Sequence, residues 1–167
     1  MTSKAKAKGN SWERDICKFL GNTLGGNFMR VPNSGAFTGG QNAFRRNTMS
    51  DTQVRNAKGD IIPPDHLTHL VIEAKNYKDF GFHLLMSDDC KQLDKWIEQT
   101  LDAVDQGDIW FTVFKINRKG SYVAFERKLV EQHKLVLANH CVYKDYVVCD
   151  FESFFTTNKD IILSICA

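Results

Sequence analysis

Apolar residues recur at helical spacing near the start of the chain and again past its middle. The first set shares one helical face and comprises Ile16, Phe19, Leu20 and Leu24, and Glu13 falls on that same face. It predicts an amphipathic helix from about Trp12, which Asn10 or Ser11 can cap, and Gly25-Gly26 ends it. The second set predicts a helix over residues 88–106 and comprises Cys90, Leu93, Ile97, Leu101 and Val104.

Short apolar runs bounded by turn residues predict β-strands elsewhere. Residues 109–116 and 122–126 flank an Asn-Arg-Lys-Gly turn, which predicts a hairpin. Further strands are predicted at 27–31, 60–63, 69–75 and 142–148, with a helix near 151–155 and a last apolar stretch at 161–165. The order of helix, three strands, helix and strands predicts an α/β fold in which helices flank one mixed sheet.

Two segments lack this periodicity. Residues 1–9 carry Lys4, Lys6 and Lys8 among small residues, which predicts a flexible basic tail. Residues 33–58 are polar and rich in Gly, Asn and Arg, so an irregular loop is expected there. Such a long loop inside a compact domain is unusual and often functional.

Composition indicates one globular domain. A chain of 167 residues with 43% hydrophobic residues can bury one core. There is neither a secretory signal nor an apolar run long enough to span a bilayer, so a soluble intracellular protein without a membrane partner is expected. The five scattered cysteines include no Cys-x-x-Cys pair, which argues against disulfides and a zinc site.

The charge is unevenly distributed along the chain. Residues 1–78 carry twelve Lys and Arg against six Asp and Glu, whereas residues 79–167 carry ten against fourteen. A basic N-terminal half suits a polyanionic partner such as DNA. A solvated surface with a chance asymmetry is the alternative.

A Glu and a Lys stand near the end of a predicted strand that is otherwise apolar. In Leu70-Val71-Ile72-Glu73-Ala74-Lys75, the side chains of Glu73 and Lys75 share one face, because strand residues alternate. Asp60 begins the preceding predicted strand, and we expect it to meet Glu73 across the sheet. Two close carboxylates suit Mg²⁺, with a backbone carbonyl and waters as the other ligands.

An ammonium group beside two carboxylates suits phosphodiester hydrolysis. Lys75 could orient or help deprotonate the attacking water. A surface Glu-Lys pair at a strand end, together with a turn aspartate, is the structural alternative.

Four motifs then follow one another along the chain. They are Glu13 in Ser11-Trp12-Glu13-Arg14, the segment Arg30-Val31-Pro32-Asn33-Ser34-Gly35, Asp60, and Glu73-Ala74-Lys75. This combination resembles the PD-(D/E)XK nuclease superfamily, and within it the archaeal-type Holliday junction resolvases and their phage relatives. The resemblance covers roughly residues 10–127. Gly59 stands where the motif's name has Pro, and most of residues 35–58 and the last forty residues have no counterpart.

The resemblance implies a single restriction-endonuclease-like domain over residues 10–167. Its parts would be a core at 10–127, a basic loop at 35–58 and a C-terminal extension at 128–167. The implied catalytic residues are Glu13, Asp60, Glu73 and Lys75. The implied metal ligands are Asp60, Glu73 and the backbone carbonyl of Ala74, with Glu13 as a further candidate.

DNA contacts are expected from two places. Arg30 and Ser34 resemble residues that lie near the scissile phosphate in the family. The loop at 35–58 is connected at both ends to segments that carry expected site residues. Its basic residues are Arg45, Arg46, Arg55 and Lys58.

The expected function is a structure-selective, metal-dependent DNA endonuclease that resolves Holliday junctions or other branched DNA in recombination or repair. Mg²⁺ would be its cofactor, with Mn²⁺ as a substitute. A homodimer is expected because two strands must be nicked symmetrically. It would act in the cytoplasm or nucleoid, or in the host cytoplasm if a phage encodes it. Two alternatives stay open, another PD-(D/E)XK endonuclease of the restriction or repair type and a non-catalytic nucleic-acid-binding protein on the same fold.

Overall fold

A computed structural model describes residues 3–32 and 47–167, and within these ranges the chain forms six α-helices and seven β-strands. The helices are α1 (Ser3–Leu24), α2 (Asp51–Asn56), α3 (Lys91–Leu101), α4 (Arg127–His133), α5 (Phe151–Thr157) and α6 (Lys159–Ile165). The strands are β1 (Met29–Arg30), β2 (Ile61–Ile62), β3 (Leu70–Tyr77), β4 (Ile109–Ile116), β5 (Gly120–Glu126), β6 (His140–Tyr143) and β7 (Tyr146–Asp150). A 3-10 helix at Phe82–Ser87 precedes α3.

Five of the strands form a mixed sheet in the order β3-β4-β5-β7-β6. The β3 and β4 strands are parallel, and the other neighbours are antiparallel. Helices lie on both faces of the sheet, so the predicted α/β fold with a flanked mixed sheet is confirmed. The predicted single sheet is corrected in one respect, because β1 and β2 form a separate antiparallel ribbon.

The sheet is buried on both faces, which explains why β4 is apolar along nearly its whole length. Phe111 and Val113 pack into a cluster with α1, α5 and α6. Trp110 and Phe114 point the other way, into a cluster with α3. Successive β4 side chains therefore build two cores, one on each side of the sheet.

The two predicted helices differ in extent from the observed ones. The α1 helix begins at Ser3 rather than near Trp12, so residues 3–9 are helical where a flexible tail was expected. Three residues of its predicted apolar face, Ile16, Leu20 and Leu24, are buried, and Phe19 is partly buried against them. The α3 helix is shorter than predicted, and Leu101 is 42% exposed because Trp96 and Thr100 occupy the buried face.

The structure also corrects two further predictions, the irregular segment at 33–58 and the single strand at 142–148. The later part of the expected irregular segment contains α2, whose start is a capping box between Ser50 and Gln53. The predicted strand at 142–148 is a hairpin of β6 and β7, which turns at Lys144 with a φ of 53°. Residues 33–46 lie outside the described residues.

One backbone hydrogen bond extends the pairing of the β1–β2 ribbon, and a second holds the ribbon against β3. The Val31 N–H donates to the Asp60 carbonyl at 2.9 Å, and the Asp60 N–H donates to the Ile72 carbonyl at 2.8 Å. These bonds bring the residue before β2 next to the middle of β3. Within the described part of the chain, none of the helices combines the length and apolar character needed to cross a membrane.

Candidate active site

The β3 strand places Glu73 and Lys75 on one face, as alternation predicts. Lys75 Nζ donates a hydrogen bond of 2.8 Å to Glu73 Oε1. Only 10% of the Glu73 side chain and 14% of the Lys75 side chain are exposed. Charges this well buried in a strand are tolerated when they are paired, and here they pair with each other.

Asp60 joins this pair through the backbone of β3. Asp60 Oδ2 accepts a hydrogen bond of 2.8 Å from the Ala74 N–H, which lies between Glu73 and Lys75. The aspartate is 5% exposed. The structure thus brings together three of the four catalytic residues expected from the sequence.

Gly59 makes this approach possible. Its φ of +63° lies in the left-handed region, and a Cβ there would stand 2.4 Å from the Ile72 carbonyl oxygen. Proline is excluded because its ring fixes φ near −65°. The departure from the motif's Pro therefore has a local physical reason.

Electrostatic repulsion is built into the carboxylate pair. Burial raises the pKa of Glu73 from 4.5 to about 7, and the neighbouring Asp60 contributes to this rise. The Lys75 ammonium acts in the opposite direction but does not cancel these effects. The protein on its own therefore holds Glu73 in a site that disfavours its charged form.

This donor set fits a divalent cation. Asp60 and Glu73 offer hard carboxylate oxygens, and a cation between them would relieve the repulsion that raises the Glu73 pKa. The backbone carbonyl of Ala74 is the further ligand expected from the sequence. Among the residues that the structure describes, no group of three or more His, Cys, Asp or Glu side chains forms a metal cage. Carbonyl oxygens and waters would have to complete the ligand set.

Glu13 and Arg30 meet each other beside the ribbon. Arg30 Nε donates to Glu13 Oε2 at 2.6 Å, and Arg30 Nη2 donates to Asn10 Oδ1 at 2.7 Å. Glu13 is 8% exposed and lies on the buried face of α1, as its helical position predicts. Its carboxylate forms no three-carboxylate cluster with Asp60 and Glu73, so its role as a metal ligand stays a prediction.

The other expected DNA contacts differ in their surroundings. Arg55 makes a 3.0 Å ion pair with Asp65, whose side chain is 96% exposed, so water competes for this contact. Lys58 Nζ instead lies 2.9 Å from Asp105 and 2.5 Å from Asp108, and only 12% of its side chain is exposed. These aspartates already neutralise Lys58, which does not favour a phosphate contact. Ser34, Arg45 and Arg46 lie outside the described residues.

Two supporting asparagines were not expected from the sequence. Asn10, considered there as a helix cap, instead accepts the hydrogen bond from Arg30. Asn76 Nδ2 donates to the Lys8 carbonyl at 3.1 Å and so ties α1 to β3. A polar residue directly after the Glu-x-Lys motif was the available signal for Asn76. No local pattern singled out Asn10 for this contact.

The cysteines take no part in this site. All five are free thiols, as expected. Burial raises the pKa of Cys149 and of Cys166 to about 12, and that of Cys17 to about 11. These three thiols are therefore protonated at neutral pH, which argues against a nucleophilic role for them.

Asp60 precedes the short β2 strand, and the Glu-x-Lys motif lies on β3 of a mixed sheet that helices flank. This arrangement defines the chain as a protein of the PD-(D/E)XK nuclease class. Over residues 4–164 the chain matches the family described as "Phage putative PDDEXK endonuclease", and it belongs to that family. The match spans residues 35–58 and most of the C-terminal extension, for which the resolvase resemblance offered no counterpart. No curated protein matches the chain, and no solved structure does.

Proposed function

We propose that the protein is a structure-selective DNA endonuclease that cuts four-way junctions or other branched DNA. The observation that carries the catalytic part is the buried cluster in which Lys75 contacts Glu73 and Asp60 is fixed by the Ala74 N–H. The order of the four motifs supports the branched-DNA part, because it resembles that of the Holliday junction resolvases.

Each residue of the cluster has a distinct task in the proposed reaction. Asp60 and Glu73 would hold the cation, and the Ala74 N–H keeps the Asp60 carboxylate in place. Mg²⁺, for which Mn²⁺ would substitute, would act as a Lewis acid on the phosphate. Among the described residues, Lys75 donates one of its three N–H groups to Glu73, which leaves two for a water molecule or a phosphate oxygen.

Arg30 would stabilise negative charge on the substrate. Its bonds to Glu13 and Asn10 use two of the five guanidinium N–H donors. As far as the described residues go, the remaining donors are available to phosphate oxygens, and the two contacts to α1 reduce the ordering that such a bond would require. Glu13 acts here as a positioning residue for Arg30.

The protein would act as a homodimer. A four-way junction has a two-fold relation between the strands that are nicked, and a two-fold dimer presents two matching sites. Sedimentation of the free protein and of its junction complex tests this part. A single copy of the chain on a junction that is cut on both strands would contradict it.

A cleavage panel tests the substrate. Junction, flap, linear duplex and single strand of matched sequence are incubated with Mg²⁺, and in parallel with Mn²⁺. The proposal expects the junction to be cut fastest. Equal cutting of linear duplex would point to another type of PD-(D/E)XK endonuclease. Inactivity with both metals on every substrate would leave a nucleic-acid-binding protein on a nuclease fold.

A further inference from the structure

An open groove of about 610 Å³ runs between the second half of α1 and the chain that enters β1. Its lining includes three basic residues, Arg14, Lys18 and Arg30, and two amides, Asn22 and Asn27. None of the described residues that line it is acidic. The groove therefore combines positive charge with hydrogen-bond donors, which is a combination that suits phosphate groups.

The two helical cations in the groove are available for a ligand. Arg14 and Lys18 are exposed and stand one helical turn apart, about 6 Å along the axis. Within residues 3–32 and 47–167, neither of them has an ion-pair partner. Asp15, the acid next to Arg14 in the sequence, instead lies 3.8 Å from Lys115 on β4.

One end of the groove lies beside the chain segment that carries Asp60. Arg30 lines the groove and also bonds to Glu13. The next residue, Val31, donates its N–H to the carbonyl of Asp60 at 2.9 Å. A polyanion that lies along Arg14, Lys18 and Arg30 would therefore lie next to the chain segment that carries Asp60.

We propose that this groove holds the sugar-phosphate backbone of the DNA strand on one side of the cut. Arg14 and Lys18 each contact a phosphate, and Asn22 and Asn27 donate hydrogen bonds to the same backbone. These contacts are to phosphate oxygens, so they position the strand without reading its sequence. The inference rests on the proposed function, because it takes DNA as the substrate.

Salt-dependent binding measures how many phosphates the two cations neutralise. The protein with Arg14→Gln and Lys18→Gln is titrated against labelled junction and labelled duplex in EDTA, over a series of salt concentrations. The slope of log affinity against log salt should fall by about two units, about one for each phosphate that is no longer neutralised. Both DNAs should be weakened equally.

A matched variant controls for the change in net charge. Lys128→Gln with Lys159→Gln removes two exposed charges from helices outside the groove. It should leave the slope within about half a unit of the wild type. Thermal unfolding followed by circular dichroism should show that both variants fold, because all four side chains are exposed.

A second pair of variants adds charge instead of removing it. Asn22→Asp places a carboxylate in the groove, whereas Gln132→Glu makes the same change on exposed α4. Only Asn22→Asp should weaken DNA binding. The inference is overturned if the wild-type slope survives in the Arg14 and Lys18 variant, or if each control behaves like its groove counterpart.

Binding in EDTA is independent of cleavage, so the two proposals can fail separately. A chain that binds DNA through the groove but never cuts it would retain the groove and refute the nuclease function. A chain that cuts branched DNA, and whose DNA binding is unchanged in the groove variants, would support the nuclease function and refute the groove proposal.

Discussion

Lys75 Nζ lies 2.8 Å from Glu73 Oε1, two residues away on the same face of β3. The pair lies beside Asp60, which raises the pKa of Glu73 in addition to the larger effect of burial. The ammonium therefore serves two purposes in the proposed enzyme. It limits the repulsion between two buried carboxylates, and it remains positioned to bind a water molecule beside them.

Removal of any member of the cluster should abolish cleavage and preserve DNA binding. Asp60→Asn, Glu73→Gln and Lys75→Ala each remove a proposed metal ligand or the ammonium proposed to bind water, and they leave the core unchanged. A loss of several kcal/mol of transition-state stabilisation corresponds to a rate at least about a thousandfold lower. Single-turnover cleavage of a junction measures this. Lys78→Ala, at an exposed position just after β3, should cut normally, and a Lys75→Ala protein that does so as well would contradict the mechanism.

Without metal, Glu73→Gln should stabilise the fold at alkaline pH. The pKa of Glu73 rises on folding from 4.5 to about 7, so the folded state binds more protons within that window. The stability of the wild type should then fall as the pH rises through the window. The free energy of unfolding of Glu73→Gln should exceed that of the wild type by a few kcal/mol at most, because one pKa unit corresponds to about 1.4 kcal/mol.

Urea unfolding in EDTA at about pH 5 and about pH 8 tests this expectation, since the pKa shift should act mainly at the higher pH. Glu98→Gln, at an exposed position on α3, should show no comparable pH-dependent gain. A Glu73→Gln protein less stable than the wild type at the higher pH would show that Glu73 is not under repulsion.

Gly59→Ala should both destabilise the protein and impair cleavage. The new Cβ would stand 2.4 Å from the Ile72 carbonyl oxygen, which would displace Asp60 from the Ala74 N–H. The strained backbone alone costs about 1–3 kcal/mol. Gly25→Ala is the matched control, because Gly25 has a φ of +80° but no described residue within 4 Å of its Cβ position. It should lose stability without losing cleavage, and equal behaviour of the two variants would count against the close approach.

Arg45→Ala with Arg46→Ala should weaken junction binding and narrow the preference for junction over duplex. The two residues belong to the basic segment 35–58, which in the sequence follows Ser34 directly and ends just before Gly59-Asp60. Loss of contacts that recognise branched shape should reduce selectivity for the junction, whereas loss of generic phosphate contacts would weaken the binding of both DNAs equally. Competition binding between junction and duplex measures the ratio. As a control, Arg127→Ala with Lys128→Ala, an adjacent basic pair on α4, should leave this ratio unchanged. An unchanged ratio in the Arg45 and Arg46 variant would show that the segment has no part in recognition.

The sequence by itself determined the elements whose signal is local. The β4 strand occupies the predicted residues 109–116, because a continuous apolar run specifies a strand that is buried on both faces. Glu73 and Lys75 share one face because strand geometry alternates. Glu13 falls on the buried face of α1 through helical spacing alone. These features depend on the backbone conformation and on neighbouring residues, so no distant contact was needed to infer them.

Only the tertiary structure decided which charges are paired. Lys58 looked like a DNA contact in a basic segment, but Asp105 and Asp108 reach it from about fifty positions away. The hairpin of β6 and β7 was not predicted either, because the left-handed residue of its turn is Lys144 rather than a glycine or an asparagine, which would indicate a turn. Ion pairs and turns of this kind depend on the packing of distant segments, which sequence periodicity does not encode.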